Sequence, residues 1–185
     1  MKNYLSVMAL YCLLFSGCVS LKTPKRTNFV PLKAPQLIGK YPATILKEYI
    51  GNGKTQQFTD ILWYHFKNSP GSDSLELKQA THMELELTDG QHITSRLYKG
   101  DILLKTDVIK GRLKNGYFRK KSHFSVKGIP PFYWSTTSVK VQFGTDTQKQ
   151  LLIDHAQETS GGFLIMLAGT PGTTRTEIVP PYIKP

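Results

Sequence analysis

From about residue 37 onward, short runs of alternating apolar and polar residues are separated by turn residues. Met83, Leu85 and Leu87 alternate with Glu84, Glu86 and Thr88. Ile93, Ser95 and Leu97 then alternate with Thr94, Arg96 and Tyr98. A period of two puts one set of side chains on each face of a strand. Asp89-Gly90 lies between these runs and signals a hairpin, because a tight turn needs positive φ. Counting outward from it pairs Thr88 with Gln91 and sets His92 opposite Leu87. Lys99-Gly100-Asp101 forms the next turn and leads into Ile102 through Ile109. Asn115-Gly116 then joins Arg112-Leu113-Lys114 to Tyr117-Phe118-Arg119. Consecutive hairpins of this kind predict an antiparallel meander.

The flanking segments extend the pattern. Tyr41 to Ile50 reads as a strand closed by Gly51-Asn52-Gly53, and Phe58 to Phe66 as another. Asn68-Ser69-Pro70-Gly71-Ser72 reads as a loop. Ile129-Pro130-Pro131-Phe132-Tyr133-Trp134 breaks the alternation, since proline cannot donate to a ladder. Its aromatic residues are expected to plug one end of the core. Ser138 to Phe143 is a further strand. Leu151 to Glu158 and Gly162 to Ala168 flank Gly161 and read as a pair, the second nearly all apolar and therefore buried. No long stretch carries a helical period. The expectation is an all-β antiparallel meander of about 8–10 strands, forming a closed or partly open barrel over residues 37–185. A barrel leaves few edges open to other chains.

The N-terminus has a different character. Lys2 precedes an apolar run from Tyr4 to Phe15, far short of the ~20 residues a membrane span needs. Small residues, Ser16-Gly17, then stand before Cys18. Residues 1–17 thus read as a secretory signal peptide, with cleavage between Gly17 and Cys18. Residues 18–36, with Pro24, Pro31 and Pro35, read as a spacer. Cys12 and Cys18 are the only cysteines, so a cleaved chain keeps one and can form no intramolecular disulfide.

Leu14-Phe15-Ser16-Gly17-Cys18 resembles the lipobox of bacterial lipoproteins, with Phe15 where leucine is usual. That resemblance implies lipid on Cys18 and, because Val19 is not aspartate, an outer-membrane anchor. The basic stretch Ser20 to Arg26 differs from the acidic signal some lineages use for surface export, so a periplasm-facing domain is expected. Lys22, Lys25 and Arg26 would add attraction to anionic head groups. The layout also resembles small Bacteroidetes lipoproteins with lipocalin-like barrels. That likeness rests on Leu37-Ile38-Gly39-Lys40-Tyr41, on Gly111 through Phe118, and on Gly161-Gly162-Phe163-Leu164-Ile165. It carries no catalytic residues. Strand pattern, anchor and the absence of catalytic motifs point to an anchored envelope protein that binds a small apolar ligand or an assembly partner; the alternative is a structural or assembly subunit docking on an outer-membrane complex through a basic hairpin.

Charge changes this picture in one respect. The formal net charge is +11, which favours anionic partners, although lysines also keep a strand-rich surface soluble. Export argues against nucleic acid. The excess gathers around the third hairpin, where Arg112, Lys114, Arg119, Lys120 and Lys121 are candidates for contact with an anionic surface. An ordinary solvated hairpin face would look similar.

Catalytic patterns are wanting. His65, His82, His92, His123 and His155 show no metal-ligand spacing, and neither a metal nor another cofactor is expected. His82 and His92 fall at different distances from their turn. Asp154 and His155 are adjacent and must point to opposite faces of a strand, which rules out a hydrolase dyad. Glu84 and Glu86 sit on the polar side of an amphipathic strand. The sequence therefore points to a protein without catalytic activity.

Overall fold

The computed structural model describes residues 21, 26–51, 54–67, 74–129, 132–163 and 166–184. Cys12, Gly17, Cys18 and the 68–72 loop lie outside them. The alternating runs between residues 82 and 120 form the strands expected of them. β1 is Phe29–Val30, β2 Gln36–Pro42, β3 Thr44–Gly51 and β4 Lys54–Ile61. β5 is His82–Leu87, β6 His92–Lys99, β7 Ile102–Lys114 and β8 Tyr117–Lys120. β9 is His123–Ile129, β10 Tyr133–Asp146, β11 Leu151–Phe163 and β12 Met166–Val179. A 3₁₀ turn, Leu62–Phe66, and one short helix, α1 (Ser74–Gln79), complete the described elements.

Ten strands make one antiparallel sheet with the main path β12-β11-β10-β8-β7-β6-β5-β2. β1 and β9 both add to β10, and β3–β4 forms a separate hairpin. The sheet is not closed by a strand pair. The tail after β12 spans the gap, where the Tyr182 N–H donates to the Lys40 carbonyl at 2.8 Å and its ring stacks on His82 at 4.5 Å. A partly open barrel results.

Turn chemistry sets the meander. Asn115 and Gly116 both have positive φ, 53° and 77°, which is the two-residue hairpin geometry read from the sequence. The first hairpin is built differently. Leu87 pairs with Ile93, and the Thr88 N–H reaches the His92 carbonyl, so three residues form the loop. The Asp89 carboxylate accepts the Gln91 N–H at 2.6 Å and takes over the work expected of Gly90. That adds one residue to the turn and moves His92 from opposite Leu87 to opposite Thr88.

β7 changes partner midway, pairing with β6 through Lys110 and with β8 from Gly111. A Cβ at Gly111 would lie 2.6–2.7 Å from the Phe118 ring and against the Arg119 carbonyl. Gly111→Val should therefore cost about 1–3 kcal/mol through overpacking, read as a lower urea midpoint at unchanged slope.

Several segments depart from the sequence reading. The expected strand 41–50 is two strands divided at the buried Ala43. The expected strand 58–66 ends at Ile61, and its last five residues turn into the 3₁₀ segment. Leu62, Trp63 and Phe66 from that turn are all fully buried. They fill the concave face of the sheet with Leu85, Leu97, Phe118 and Phe143. The Ser95 hydroxyl donates to the Phe66 carbonyl at 2.8 Å, and the Lys120 ammonium donates to the His65 carbonyl at 3.1 Å. These bonds satisfy the orphan carbonyls at the end of the turn.

Gly161 marks no turn, because β11 runs straight through it, with Gly161 paired to both Ser135 and Ala168. The apolar segment after it turns into β12, an edge strand of the path, and Phe163 is exposed. Phe132 and Tyr133 do not plug the core either, being 63% and 61% exposed. With Phe124, Val126 and Ile129 they give an apolar surface to the part of the β9–β12 ribbon that extends past β8. The expected spacer is partly fold: β1 pairs with the end of β10, Leu32 is buried, and Phe29 stacks on Tyr117 at 4.1 Å.

Candidate functional site

Two clusters of charged side chains stand out, on opposite sides of the sheet. Alternation along β11 separates them. Ile153 and His155 face the concave core, and Asp154 faces outward. Asp154 is held there by Arg26 at 2.5 Å, Gln142 at 2.9 Å and Thr176 at 2.8 Å. Burial raises its pKa, but the hydrogen bonds from Arg26, Gln142 and Thr176 outweigh that and hold the carboxyl below its ordinary value. Arg26 is therefore committed to a structural pair and not to the membrane contact expected of it.

The basic cluster lies at the fork where β8 ends and β9 begins. A hollow of about 440 Å³ is lined by Lys110, Arg112, Arg119, Lys120, Lys121 and Lys140, and no acidic residue lines it. Arg112 and Arg119 face each other as a cross-strand pair, an arrangement that favours a bound anion between like charges. Lys110, Arg112 and Lys121 are exposed. Lys120 points the other way to cap the 3₁₀ turn, and burial lowers its pKa. Lys114, at the tip of the hairpin, does not line the hollow. Four of the five predicted contact residues are thus brought together, and Lys110 and Lys140 join them. Lys140 comes from a strand distant in sequence. Leu21 also lines the hollow.

The second cluster lies on the concave side, where the β3–β4 hairpin meets β11 and β12. The donor atoms of His65, His155 and Glu177 all lie within 4.8 Å of one another. The Lys47 ammonium bonds both Asp60 and Glu177, the latter at 2.7 Å, and Arg175 reaches Glu177 at 2.8 Å. Burial lowers the pKa of both His65 and His155, so each imidazole is neutral near pH 7. Burial raises the Asp60 pKa, but its bond from Lys47 outweighs that and leaves the carboxyl below its ordinary value. No sequence spacing could reveal this cluster, since its members come from five separate elements.

His82 and His92 fall at opposite ends of their hairpin, His82 paired with Tyr98 and His92 bonded to Asp89 at 2.9 Å. Glu84 and Glu86 both pair with Arg96, at 3.1 and 2.7 Å. No family model, curated protein or solved structure matches this chain.

Proposed function

We propose that the protein is a lipid-anchored envelope lipoprotein without catalytic activity, whose basic face binds the phosphates of anionic head groups in the membrane that holds it. The position of Leu21 carries this reading. It lines the hollow that six cations surround, and it follows the lipobox cysteine by three residues. Three residues reach at most ~11 Å, so lipid on Cys18 would enter the bilayer beside the basic hollow. A stable anchor takes two signals, and a lipid chain with a polybasic patch is such a pair. Packing of Trp63, Phe66 and Phe143 into the concave face favours this reading over storage of an apolar ligand there.

Cys18→Ser protein isolates the electrostatic part. It should sediment with phosphatidylcholine vesicles only when phosphatidylglycerol is included. Reversing Lys110, Arg112 and Lys121 to glutamate should weaken that binding by at least ~100-fold, at ~1 kcal/mol per basic residue near an anionic surface. Equal sedimentation with neutral vesicles, or no loss in the triple variant, would overturn the reading. Labelling of cells with a palmitate analogue should mark the wild type and not Cys18→Ser.

The same basic residues support a second reading, a structural or assembly subunit that docks on an outer-membrane complex through the basic hairpin. Phe124 and Val126 lie on one face of the β9–β12 ribbon and the paired Ile129 and Tyr133 on the other. Under that reading the triple reversal would release a co-purifying protein and leave vesicle binding unchanged.

A further inference from the structure

We propose that His65, His155 and Glu177 form a binding site for one divalent transition-metal ion of the zinc type, and that the Lys47 ammonium competes with the ion for the carboxylates. Geometry carries the proposal. Each of the three residues offers a donor atom, and all three donors lie within 4.8 Å of one another. A tetrahedral zinc centre with bonds of 2.0–2.1 Å sets its donors about 3.3 Å apart. The His155 Nε2 to Glu177 Oε1 separation is already 3.8 Å, so small side-chain rotations close the triangle. Asp60 Oδ2 lies 3.7 Å from His65 Nε2 but outside the set of three donors, so the fourth position of the ion is left to solvent.

The scaffold under these donors is rigid. His155 and Glu177 stand on adjacent strands of a ladder that keeps its register from Leu151 to Gln157, where Ile153 pairs with Glu177 and His155 with Arg175. His65 is fixed by the 3₁₀ turn, which the buried Leu62, Trp63 and Phe66 lock into the core. Two imidazoles with one carboxylate suit zinc, copper or nickel, whereas calcium and magnesium prefer all-oxygen sets.

Two further observations fit a cation at this place. His155 Nε2 is buried and has no hydrogen-bond partner. A buried polar atom of this kind is normally met by a partner such as an ordered water or an ion. Lys47 meanwhile bridges Asp60 and Glu177, the two carboxylates that flank the histidines. The pocket is thus already arranged around one positive charge. A groove of about 700 Å³ lined by Lys47, Arg175 and Glu177 gives an ion its way in from solvent. Arg175 bonds Glu177 Oε1 from outside and orients the carboxylate, as outer partners of metal ligands do.

Purified full-length protein should bind one equivalent of Zn²⁺ by calorimetry. With Co²⁺ it should show the visible absorption of a four- or five-coordinate nitrogen–oxygen site. His65→Ala and His155→Ala should each weaken Zn²⁺ binding at least ~10-fold. Glu177→Gln, which keeps the side-chain shape, should do the same and covers the case in which a histidine variant fails to fold. His82→Ala and His92→Ala should leave binding unchanged. Lys47→Met removes the competing ammonium and should tighten binding several-fold. Absence of the Co²⁺ spectrum, or Zn²⁺ binding that survives Glu177→Gln, overturns the site. Unchanged affinity in Lys47→Met overturns the role given to the lysine.

Discussion

Trp63→Ala should lower the unfolding free energy by about 3–5 kcal/mol, the range for emptying a buried aromatic position. Domains of this kind are stable by only about 5–15 kcal/mol, so the variant should lie close to its folding limit. Trp63 is fully buried, as are Leu62 and Phe66 on the same 3₁₀ turn. The three occupy the concave face that an unfilled barrel would leave for a ligand. A strand over the same residues would send Leu62 and Trp63 to opposite faces, and only one of them could join the core. Tyr64, 49% exposed, gives the contrast. Its change to alanine should stay within about 0.5 kcal/mol. Urea denaturation followed by circular dichroism checks both. Equal small losses at residues 63 and 64 would mean that the turn is not the plug.

Asp154→Ala should cost about 3–5 kcal/mol, the usual loss when one partner of a buried ion pair is removed. The Asp154 side chain is 6% exposed and that of Arg26 is 18% exposed. Removing the carboxylate leaves the guanidinium without its partner and takes away the acceptor for Gln142 and Thr176. The pair also staples the segment ahead of β1 to β11, across 128 positions of sequence. A double variant, Arg26→Met with Asp154→Leu, should lose less than Asp154→Ala alone, because no charge is left buried and unpaired.

The pH dependence follows from the lowered pKa of Asp154. The folded carboxyl binds its proton less readily than the unfolded one, whose pKa is ~3.9. Its contribution is therefore complete well above pH ~4 and is lost as pH falls through the lower folded value. The stability gap between wild type and Asp154→Ala should be constant near neutral pH and shrink on acidification below pH ~4. A gap that widened in acid would contradict the network described here.

Much of the architecture was legible in local chemistry. The period-two runs at 83–88 and 93–98 became β5 and β6, and Asn115-Gly116 made its turn with both residues at positive φ. The opposed directions of Asp154 and His155 also follow from alternation alone, and their partners lie on opposite faces. Other segments misled for identifiable reasons. Gly161 and Gly162 look like punctuation, yet they are paired strand residues that precede Phe163, the last residue of β11. Phe58 to Phe66 mixes apolar and polar residues in a way that suits a strand or a tight helical turn, and local pattern cannot arbitrate between them. The open concave face did so, because it could be filled only by a segment that turns Leu62, Trp63 and Phe66 inward together.

The candidate sites divide along the same line. The hairpin's cationic residues are close in sequence, so most of the basic hollow could be anticipated, whereas Lys140 and Leu21 join it only through strand pairing and the course of the N-terminal segment. The second cluster is wholly tertiary. His65, His155 and Glu177 meet because the 3₁₀ turn packs under β11 and β12, at separations in sequence where no spacing rule applies. By itself the sequence determined the β5–β8 meander and the turn at Asn115-Gly116, because each depends on neighbours along the chain. The open edge, the filled interior and the convergence of two histidines with a glutamate were decided by the tertiary structure, because each depends on which distant surfaces bury one another.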